Sequence, residues 1–266
     1  MPSTALFLME KLAIVIPAHN EQQRIGPTVK AYLDFFGKLK GMKTELIVVL
    51  NACTDRTREV VEQYSCPELK IIEFKRGGKG FAVIEGFKYA LKGDSNIIGF
   101  VDADMATTPA AYYHLYKSLA GADGVIADRY IKGSVMHPKP TFARRLVSRL
   151  YNAVIRAMFV FPYRDTQCGA KIFSRNALKS VSNEIEMTQW AFDVELLYSL
   201  NSKGFNIISS PTMWSDKEYS KINAFKAGPI MFLGLVRLRL VHSPFRRFIR
   251  VYDFLAEIIR KIFNKK

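Results

Sequence analysis

Two carboxylates stand one residue apart directly after an apolar run in the first half of the chain. The run is IIGFV at residues 97–101, and Asp102 and Asp104 follow it with only Ala103 between them. Alternate residues of an extended chain point the same way, so both side chains can reach one side. Hard carboxylate oxygens suit Mg²⁺ or Mn²⁺, and a cation would relieve the repulsion between the two charges. The alternative is that one Asp caps a helix starting near Thr108 while the other is solvated.

Three more polar segments follow apolar runs with the composition of strands. They contain Glu21 in PAHNE, Asn51 and Asp55 in LNACTD, and Lys79 in KRGGKG. Carboxyl ends of parallel strands meet at one edge of a sheet, so we expect these segments and the Asp pair to converge there. The Gly-rich segment either cradles a phosphate or is a flexible turn. Its spacing matches neither the P-loop nor the GxGxxG dinucleotide motif.

The elements needed to hold these groups are predicted in the same half of the chain. Five short runs are rich in β-branched residues, at 12–16, 45–50, 69–74, 96–101 and 123–128. Most are continuously apolar, which is typical of strands covered on both faces. Segments with helical spacing separate them. The pattern therefore predicts βαβ units, a mostly parallel sheet and an α/β fold.

The second half of the chain is more basic and more helical. Residues 140–161 show helical periodicity with four arginines and no acidic residue. Near the carboxyl end, an apolar stripe at helical spacing accompanies many Arg and Lys residues; it comprises Phe248, Ile249, Tyr252, Leu255, Ile259 and Ile262. We predict a catalytic domain over residues 1–226 and a basic amphipathic tail over 227–266 that lies on an anionic membrane. The alternative is an ordinary amphipathic helix packed on the core.

Bulk composition limits the classes of partner. The 266 residues carry a net charge of +15 and are 49% apolar, which predicts a packed core and an anionic partner. Nucleic acid, an anionic membrane and phosphorylated small molecules all satisfy that charge. Three cysteines without CxxC spacing predict neither disulfides nor zinc. We expect no signal peptide and no transmembrane helix.

Six segments together resemble the family 2 glycosyltransferases: VIPAHNE, GKGFAVIEGFKYA, VDADM, DTQCGAKIFSR, FDVELLY and MWSDKEYSKIN. Within that family they are most similar to the branch that transfers sugars to polyprenyl phosphates and includes dolichyl-phosphate glucosyltransferases. The resemblance covers residues 11–226. It implies a GT-A-type, Rossmann-like fold, with a mostly parallel sheet flanked by helices and C-terminal amphipathic helices.

The resemblance also implies a site for a nucleotide-diphospho-sugar. The residues that match the family's nucleotide pocket are Pro17, Ala18, Glu21, Asn51, Asp55, Lys79 and Asp102. Asp102 and Asp104 match the pair that holds Mg²⁺ or Mn²⁺ and the donor diphosphate. Two positions depart from the pattern. An amide, Asn51, stands where the family often has a carboxylate, and Ala106 stands where mannosyl relatives often carry Gln, which favours the glucosyl branch.

On the acceptor side, Arg129 and Arg144 match the positions that hold the acceptor phosphate in similar enzymes. Asp193 begins the helix of the FDVELL segment, where related transferases place a catalytic carboxylate. It is a base, a group that orients the sugar, or a carboxylate interacting with the helix dipole. We expect Asp165 to contact substrate or Arg144, and Trp190 either to stack on the sugar or to pack.

The activity implied by the resemblance is inverting transfer of a hexose from a nucleotide-diphospho-sugar to a polyprenyl or dolichyl phosphate. UDP-glucose is the favoured donor, and mannosyl transfer to the same lipid is the alternative. A sugar-1-phosphate nucleotidyltransferase is a second enzyme alternative, and a basic RNA- or membrane-binding module is the non-enzyme one. We expect no nucleic-acid partner and peripheral attachment at the cytoplasmic face of a membrane.

Overall fold

A computed structural model describes residues 10–186, 191–215 and 224–264, and its centre is a seven-stranded sheet. The strands of this sheet are β1 (Glu10–Ala18), β2 (Met42–Asn51), β3 (Leu69–Phe74), β4 (Ile97–Val101), β5 (Gly124–Asp128), β7 (Ala170–Ser174) and β8 (Ile207–Pro211). Their order is β3-β2-β1-β4-β7-β5-β8. Only β7 runs antiparallel to its neighbours, β4 and β5. Two short strands, β6 (Val135–Met136) and β9 (Met213–Trp214), form a separate parallel pair.

Helices cover both faces of the sheet. They are α1 (Ile25–Phe36), α2 (Thr57–Glu62), α3 (Lys79–Lys92), α4 (Pro109–Lys117), α5 (Phe142–Phe159), α6 (Arg175–Val181), α7 (Phe192–Ser202), α8 (Ala224–Val241) and α9 (Ile249–Asn264). A 3-10 turn, Pro244–Phe248, precedes α9. The predicted α/β fold with a mostly parallel sheet is confirmed, and all five predicted strands are present.

The continuous apolar runs are explained by two separate cores. In β1, Ala13 and Val15 belong to the core under α3, whereas Ile14 and Ile16 belong to the core under α1. Successive residues of a strand point to opposite faces, so a strand covered on both faces needs apolar residues at every position. Gly86 brings α3 close to the sheet, because a Cβ there would lie 2.3 Å from a methyl group of Val15.

The antiparallel strand β7 was not predicted, and it matters for the site. It is inserted between β4 and β5, with Phe100 opposite Lys171 and Val101 opposite Ala170. The insertion brings the segment before β7 to the edge at which β4 and β5 end. Residues distant in sequence are therefore assembled beside Asp102.

The C-terminal helices divide between core and surface. Leu235 and Leu238 of α8 are fully buried in the core under α3, so α8 is part of the main body and the predicted boundary at residue 226 falls inside this helix. Helix α9 packs on α8, where the Tyr252 hydroxyl donates to the Leu233 carbonyl and Arg237 pairs with Asp253.

The predicted apolar stripe of the tail is split between two environments. Ile249 and Tyr252 are half-buried, whereas Phe248 and Leu255 are exposed, together with Val251. The side chains of Ile259 and Ile262 lie outside the described residues. Among the helices that the structure describes, none is long and apolar enough to cross a membrane.

Candidate active site

The loops after β1, β2 and β4 open at one edge of the sheet, and each contains a residue in the left-handed backbone region. These residues are Asn20 (φ 54°), Ala52 (φ 48°) and Met105 (φ 58°). For residues with a Cβ this conformation costs roughly 1–2 kcal/mol, and such strain concentrates at functional sites. The surrounding contacts therefore hold these three loops in strained backbone conformations.

Asp102 is seated by its neighbours rather than by its own loop alone. Its carboxylate binds the Lys79 ammonium at 2.6 Å, and its backbone N–H donates to the Gly169 carbonyl. A Cβ on Gly169 would lie 1.8 Å from Asp102 Oδ2. Only glycine at position 169 leaves room for the carboxylate, which explains the glycine of the DTQCGAK segment in physical terms.

Asp104 is held differently. One of its oxygens accepts from the Ala106 N–H at 3.0 Å, and its side chain is partly exposed. The loop that carries it is tied to α1, because the Thr28 hydroxyl donates to the Ala103 carbonyl at 2.7 Å and the Tyr32 hydroxyl to the Thr107 carbonyl at 2.9 Å. Helix α1 therefore fixes the position of both carboxylates.

Nearby charges and burial act on the pKa values of both Asp102 and Lys79. Burial and the nearby charges of Asp104 and Asp193 raise the pKa of Asp102, although Lys79 acts to lower it. Burial acts to lower the pKa of Lys79, but the charges of Asp102 and Asp193 outweigh it and raise that pKa. A further cation at Asp104 would relieve the remaining negative charge.

The donor set fits a divalent cation of the magnesium type. Across the described ranges, no three His, Cys, Asp or Glu side chains are grouped as a metal site. Magnesium is usually held by one or two carboxylates together with substrate phosphates, so Asp102 and Asp104 are sufficient. The space that Gly169 leaves for Asp102 and the partly exposed carboxylate of Asp104 are consistent with that mode of binding.

Asn51 connects the loops at the part of the edge where the nucleotide pocket is predicted. Its Nδ2 donates to the Ala18 carbonyl at 2.8 Å, and its Oδ1 accepts from the Gly78 N–H at 3.1 Å. Its backbone carbonyl lies 2.7 Å from His19 Nδ1, and only 2% of the residue is exposed. The Asn51 amide therefore joins the ends of β1 and β2 to the Gly-rich turn before Lys79. Its predicted place in the nucleotide pocket stays a prediction.

The other predicted nucleotide residues surround Asn51. Pro17 and Ala18 are buried at the end of β1. Glu21 accepts two hydrogen bonds of 2.6 Å from Arg24. Asp55 accepts from the backbone N–H groups of Gln22 and Thr57 and from the Thr57 hydroxyl. Burial acts to raise the pKa of Asp55, but these hydrogen bonds lower it below its usual value.

Arg129 follows β5 at the same edge and is held on three sides. Its Nε and Nη2 donate to Asp165 at 2.6 and 3.0 Å, and its guanidinium lies 5.1 Å from the Trp214 ring centre and 5.6 Å from that of Tyr130. Burial acts to raise the pKa of the fully buried Asp165, but the Arg129 charge lowers it below its usual value. Trp214 also touches the Asp104 loop, through a bridge to Thr107.

The predicted acceptor residues lie around the end of β5 and the start of α5. Asp165 binds Arg129, and its predicted contact with substrate or Arg144 stays a prediction. The segment before β7 lies against both elements, since Asp165 pairs with Arg129 and the Thr166 N–H donates to Asn152 Oδ1 on α5 at 2.9 Å. Arg144 is exposed on the first turn of α5. The Arg149 guanidinium, on the same helix, lies 5.6 Å from the Tyr130 ring centre. It therefore lies beside the ring that Arg129 also contacts.

Asp193 lies in the first turn of α7 and is bound to a lysine. Its Oδ1 accepts from Lys171 Nζ at 2.5 Å, and the lysine side chain is fully buried. Sequence reasoning did not single out Lys171 or Trp214. The signal for Lys171 was present, because a lone charged residue stands among the apolar residues of β7. Trp190, which we considered as a stacking residue, lies outside the described residues.

A cavity of about 730 Å³ opens at the other end of the strands. Lys11, Lys43, Thr44 and Glu68 are among its lining residues, and they lie near the amino ends of β1, β2 and β3. None of the predicted site residues lines it. We therefore do not assign the donor to this cavity.

Solved structures share this fold. Glucosyl-3-phosphoglycerate synthase from Mycobacterium tuberculosis, crystallised with Mn²⁺, uridine diphosphate and phosphoglyceric acid, superposes with a TM-score of 0.63 at 17% identity. The match covers 87% of this chain and 78% of that one. At this identity it shows the fold alone, which is that of the GT-A glycosyltransferases.

Sequence relatives share most of the chain. Glycosyltransferase AglD of Haloferax volcanii is 28% identical over 84% of this chain, which spans only 36% of that protein. A dolichyl-phosphate beta-glucosyltransferase of Dictyostelium discoideum is 26% identical over 86% of this chain and 73% of its own length. Residues 13–182 match the model of Glycosyl transferase family 2. With the strand-end carboxylate pair and the GT-A fold, this match shows that the chain belongs to glycosyl transferase family 2.

Proposed function

We propose that the protein transfers glucose from UDP-glucose to a polyprenyl phosphate such as dolichyl phosphate. The observation that carries the proposal is the placement of two charge systems at one edge of the sheet. Asp102, Asp104 and Lys79 suit a nucleotide diphosphate, and Arg129 beyond β5 suits a second phosphate. Relatives named as dolichyl-phosphate beta-glucosyltransferases support glucose and dolichyl phosphate as substrates. Ala106, which stands where mannosyl relatives often carry Gln, favours glucose over mannose.

On the donor side, Glu21 and Asp55 offer carboxylate oxygens to the base and ribose, and Pro17 and Ala18 form the wall beneath them. Lys79 begins α3 directly after Gly78, so its ammonium and the helix N-terminus both favour a phosphate.

Asp102 and Asp104 would hold Mg²⁺ or Mn²⁺. When bound, such an ion neutralises charge on the diphosphate leaving group. The Gly169 turn keeps Asp102 in place for this role, and α1 keeps Asp104 in place through the Thr28 and Tyr32 contacts.

On the acceptor side, the chemistry needs no strong base. The second pKa of a phosphate monoester is about 6, so an acceptor oxygen is already anionic near neutral pH. That oxygen attacks the anomeric carbon of glucose, the bond from this carbon to the diphosphate breaks, and nucleoside diphosphate leaves with inversion. Arg129, preorganised by Asp165 and Trp214, and Arg144 bind the acceptor phosphate and offset its repulsion from the donor.

We propose that α5 and α9 bring the protein to the membrane that holds the lipid acceptor. Phe142, Leu146 and Leu150 of α5 are 74%, 56% and 64% exposed at helical spacing, so they lie on one face. Phe248, at the end of the 3-10 turn, and Val251 and Leu255 of α9 are also exposed. Exposed apolar faces beside basic residues are typical of helices that lie in a membrane interface.

The membrane proposal is tested by co-sedimentation with anionic and neutral vesicles. A protein truncated after Ser243 keeps the buried part of α8 and loses the α9 face, and we expect it to bind anionic vesicles more weakly while still binding nucleotide sugar. Each basic residue near such a surface contributes about 1 kcal/mol, so salt should weaken the binding of the full chain. Equal sedimentation of both proteins would contradict a role for the tail.

The activity is tested with a panel of labelled nucleotide sugars and vesicles that contain polyprenyl phosphate. We expect label from UDP-glucose to enter the lipid and UDP to be released. Transfer of mannose instead would correct the sugar. Release of pyrophosphate from a sugar-1-phosphate and a nucleoside triphosphate would replace the proposal with a nucleotidyltransferase.

A further inference from the structure

Lys171 is a fully buried lysine in the middle of the sheet. It lies on β7 opposite Phe100 of β4 and Ile126 of β5. Its Nζ donates to Asp193 at 2.5 Å and to the Cys168 carbonyl at 2.7 Å, and lies 5.2 Å from the Phe100 ring centre. The ammonium is thus held by an ion pair, a hydrogen bond to a carbonyl and an aromatic ring.

Stability alone does not explain this ion pair. Burying two charges costs several kcal/mol per ion, and well-packed apolar residues often replace a buried pair without loss of stability. An apolar pair between β7 and α7 would serve the fold equally well. The pair therefore points to a use for the Asp193 carboxylate.

The Lys171–Asp193 pair reaches groups on both the donor and the acceptor side. On the donor side, the Lys79 ammonium lies 5.6 Å from the Phe100 ring centre, the ring that Lys171 also contacts. On the acceptor side, burial and then the Asp193 charge raise the pKa of Tyr151 on α5. Within the described part of the chain, the Tyr151 hydroxyl has no hydrogen-bond partner.

We propose that Lys171 is a positioning residue: it binds Oδ1 of Asp193 and thereby aims the second carboxylate oxygen at the hexose of the donor. Asp193 then acts as a hydrogen-bond acceptor for a sugar hydroxyl and not as a base, because the acceptor phosphate is already anionic and needs no proton removed. The inference deepens the proposed function and rests on it. It selects one of the roles that the resemblance left open for Asp193 and adds Lys171, which sequence reasoning did not single out.

Ligand binding without turnover tests this inference. The affinities of UDP-glucose and of UDP are measured by titration calorimetry in Mg²⁺ for the wild-type protein, Asp193→Asn, Lys171→Met, Lys171→Arg and the Lys171→Met/Asp193→Asn double variant. Lys88→Met is the matched control, because it removes a lysine from an ion pair on the surface of α3.

We expect Asp193→Asn and Lys171→Met each to weaken UDP-glucose about tenfold or more and to leave UDP within about twofold, since a hydrogen bond to a charged group is lost only with the sugar. Lys171→Arg should retain more affinity than Lys171→Met, and Lys88→Met should match the wild type. The double variant should bind like Asp193→Asn, because Lys171 acts only through that carboxylate.

Three results would overturn the inference. They are equal weakening of UDP and UDP-glucose by Lys171→Met, wild-type affinity of Asp193→Asn for UDP-glucose, and a further loss when Lys171→Met is added to Asp193→Asn. Lys171→Met and Asp193→Asn each leave one buried charge unpaired, so either variant can fail to fold. The double variant removes both charges and then decides the question by its affinities for UDP-glucose and UDP. A wild-type protein that binds no nucleotide sugar would contradict the proposed function itself.

Discussion

The donor and acceptor sides of the edge are built in different ways. The donor side uses short loops that follow four parallel strands, β1 to β4, and its contacts join neighbouring loops, as Asn51 joins Ala18 to Gly78. The acceptor side joins distant segments, as Arg129 meets Asp165 and Trp214. Its order depends on the antiparallel insertion of β7 and on the β6–β9 pair.

This difference predicts different responses to substitution. A donor-side change at a partly exposed side chain such as Asp104 should alter chemistry while leaving the fold intact, because its carboxylate accepts a hydrogen bond within its own loop. An acceptor-side change should alter stability and acceptor affinity together, because the same side chains hold the segments in place.

The largest effect is expected from Arg129→Met, which breaks the acceptor side. Removing one partner of a buried ion pair costs about 3–5 kcal/mol, since Asp165 is left as an unpaired buried charge. In the folded wild type the pKa of Asp165 lies below its usual value. The stability from this pair is therefore present above the ordinary carboxyl pKa, about 3.9, and is lost as pH falls through the lowered value.

Denaturant unfolding of both proteins across pH checks this prediction. Without Arg129, burial raises the pKa of Asp165 instead, and protonation at low pH removes the unpaired charge. The difference in the free energy of unfolding should therefore be largest at neutral pH. It should narrow as pH falls through the raised pKa of the variant and then through the lowered pKa of the wild type. A difference that does not change with pH would show that the pair contributes packing and not charge.

Asp104→Asn breaks the donor side. We expect the rate of transfer to fall by about two to three orders of magnitude, since the variant loses a carboxylate that supports charge on the leaving diphosphate. The melting temperature should stay close to that of the wild type. Asp94→Asn, in an exposed carboxylate elsewhere, is the control. Full activity of Asp104→Asn, or undiminished turnover in excess chelator, would remove the metal from the proposed function.

Arg144→Ala separates acceptor binding from acceptor-side stability, because Arg144 is exposed on α5. Loss of a charge-assisted phosphate contact costs about 1.5–3 kcal/mol, so KM for polyprenyl phosphate should rise roughly tenfold or more. The KM for nucleotide sugar should not change. Arg156→Ala, on the same helix, is the matched control. A change confined to the donor KM would place Arg144 on the wrong side of the edge.

Gly169→Ala tests where the two sides meet. Its Cβ would overlap Asp102 Oδ2, and relief of such overpacking costs about 1–3 kcal/mol. We expect weaker nucleotide-sugar binding even though Gly169 belongs to the β7 segment. Gly228→Ala is the control, since a Cβ there meets nothing within 4 Å. Unchanged donor affinity would show that Asp102 can move without loss.

In the first half of the chain, the local sequence pattern was sufficient to predict the strands and the polar edge of the sheet. The five predicted strands, the parallel sheet and the convergence of Asp102, Asp104, Asp55 and Lys79 at one edge could all be derived from apolar runs and the polar residues after them. A parallel strand covered on both faces has a distinct composition, and its carboxyl end has a known side of the sheet. For these physical reasons the sequence determined the edge of the sheet at which these side chains meet, whereas the family was indicated by the resemblance of six segments.

Tertiary structure decided which side chains pair with one another within the protein. The pairing of Asp165 with Arg129, the burial of Lys171 against Asp193, the bracing role of Asn51 and the placement of α8 in the core each join segments tens of residues apart. An ion pair depends on which strands become neighbours, and the antiparallel β7 leaves no periodic signal that fixes its place between β4 and β5. The sequence therefore determined which charges the edge carries, and only the fold decided which of them are paired within the protein and which face a substrate.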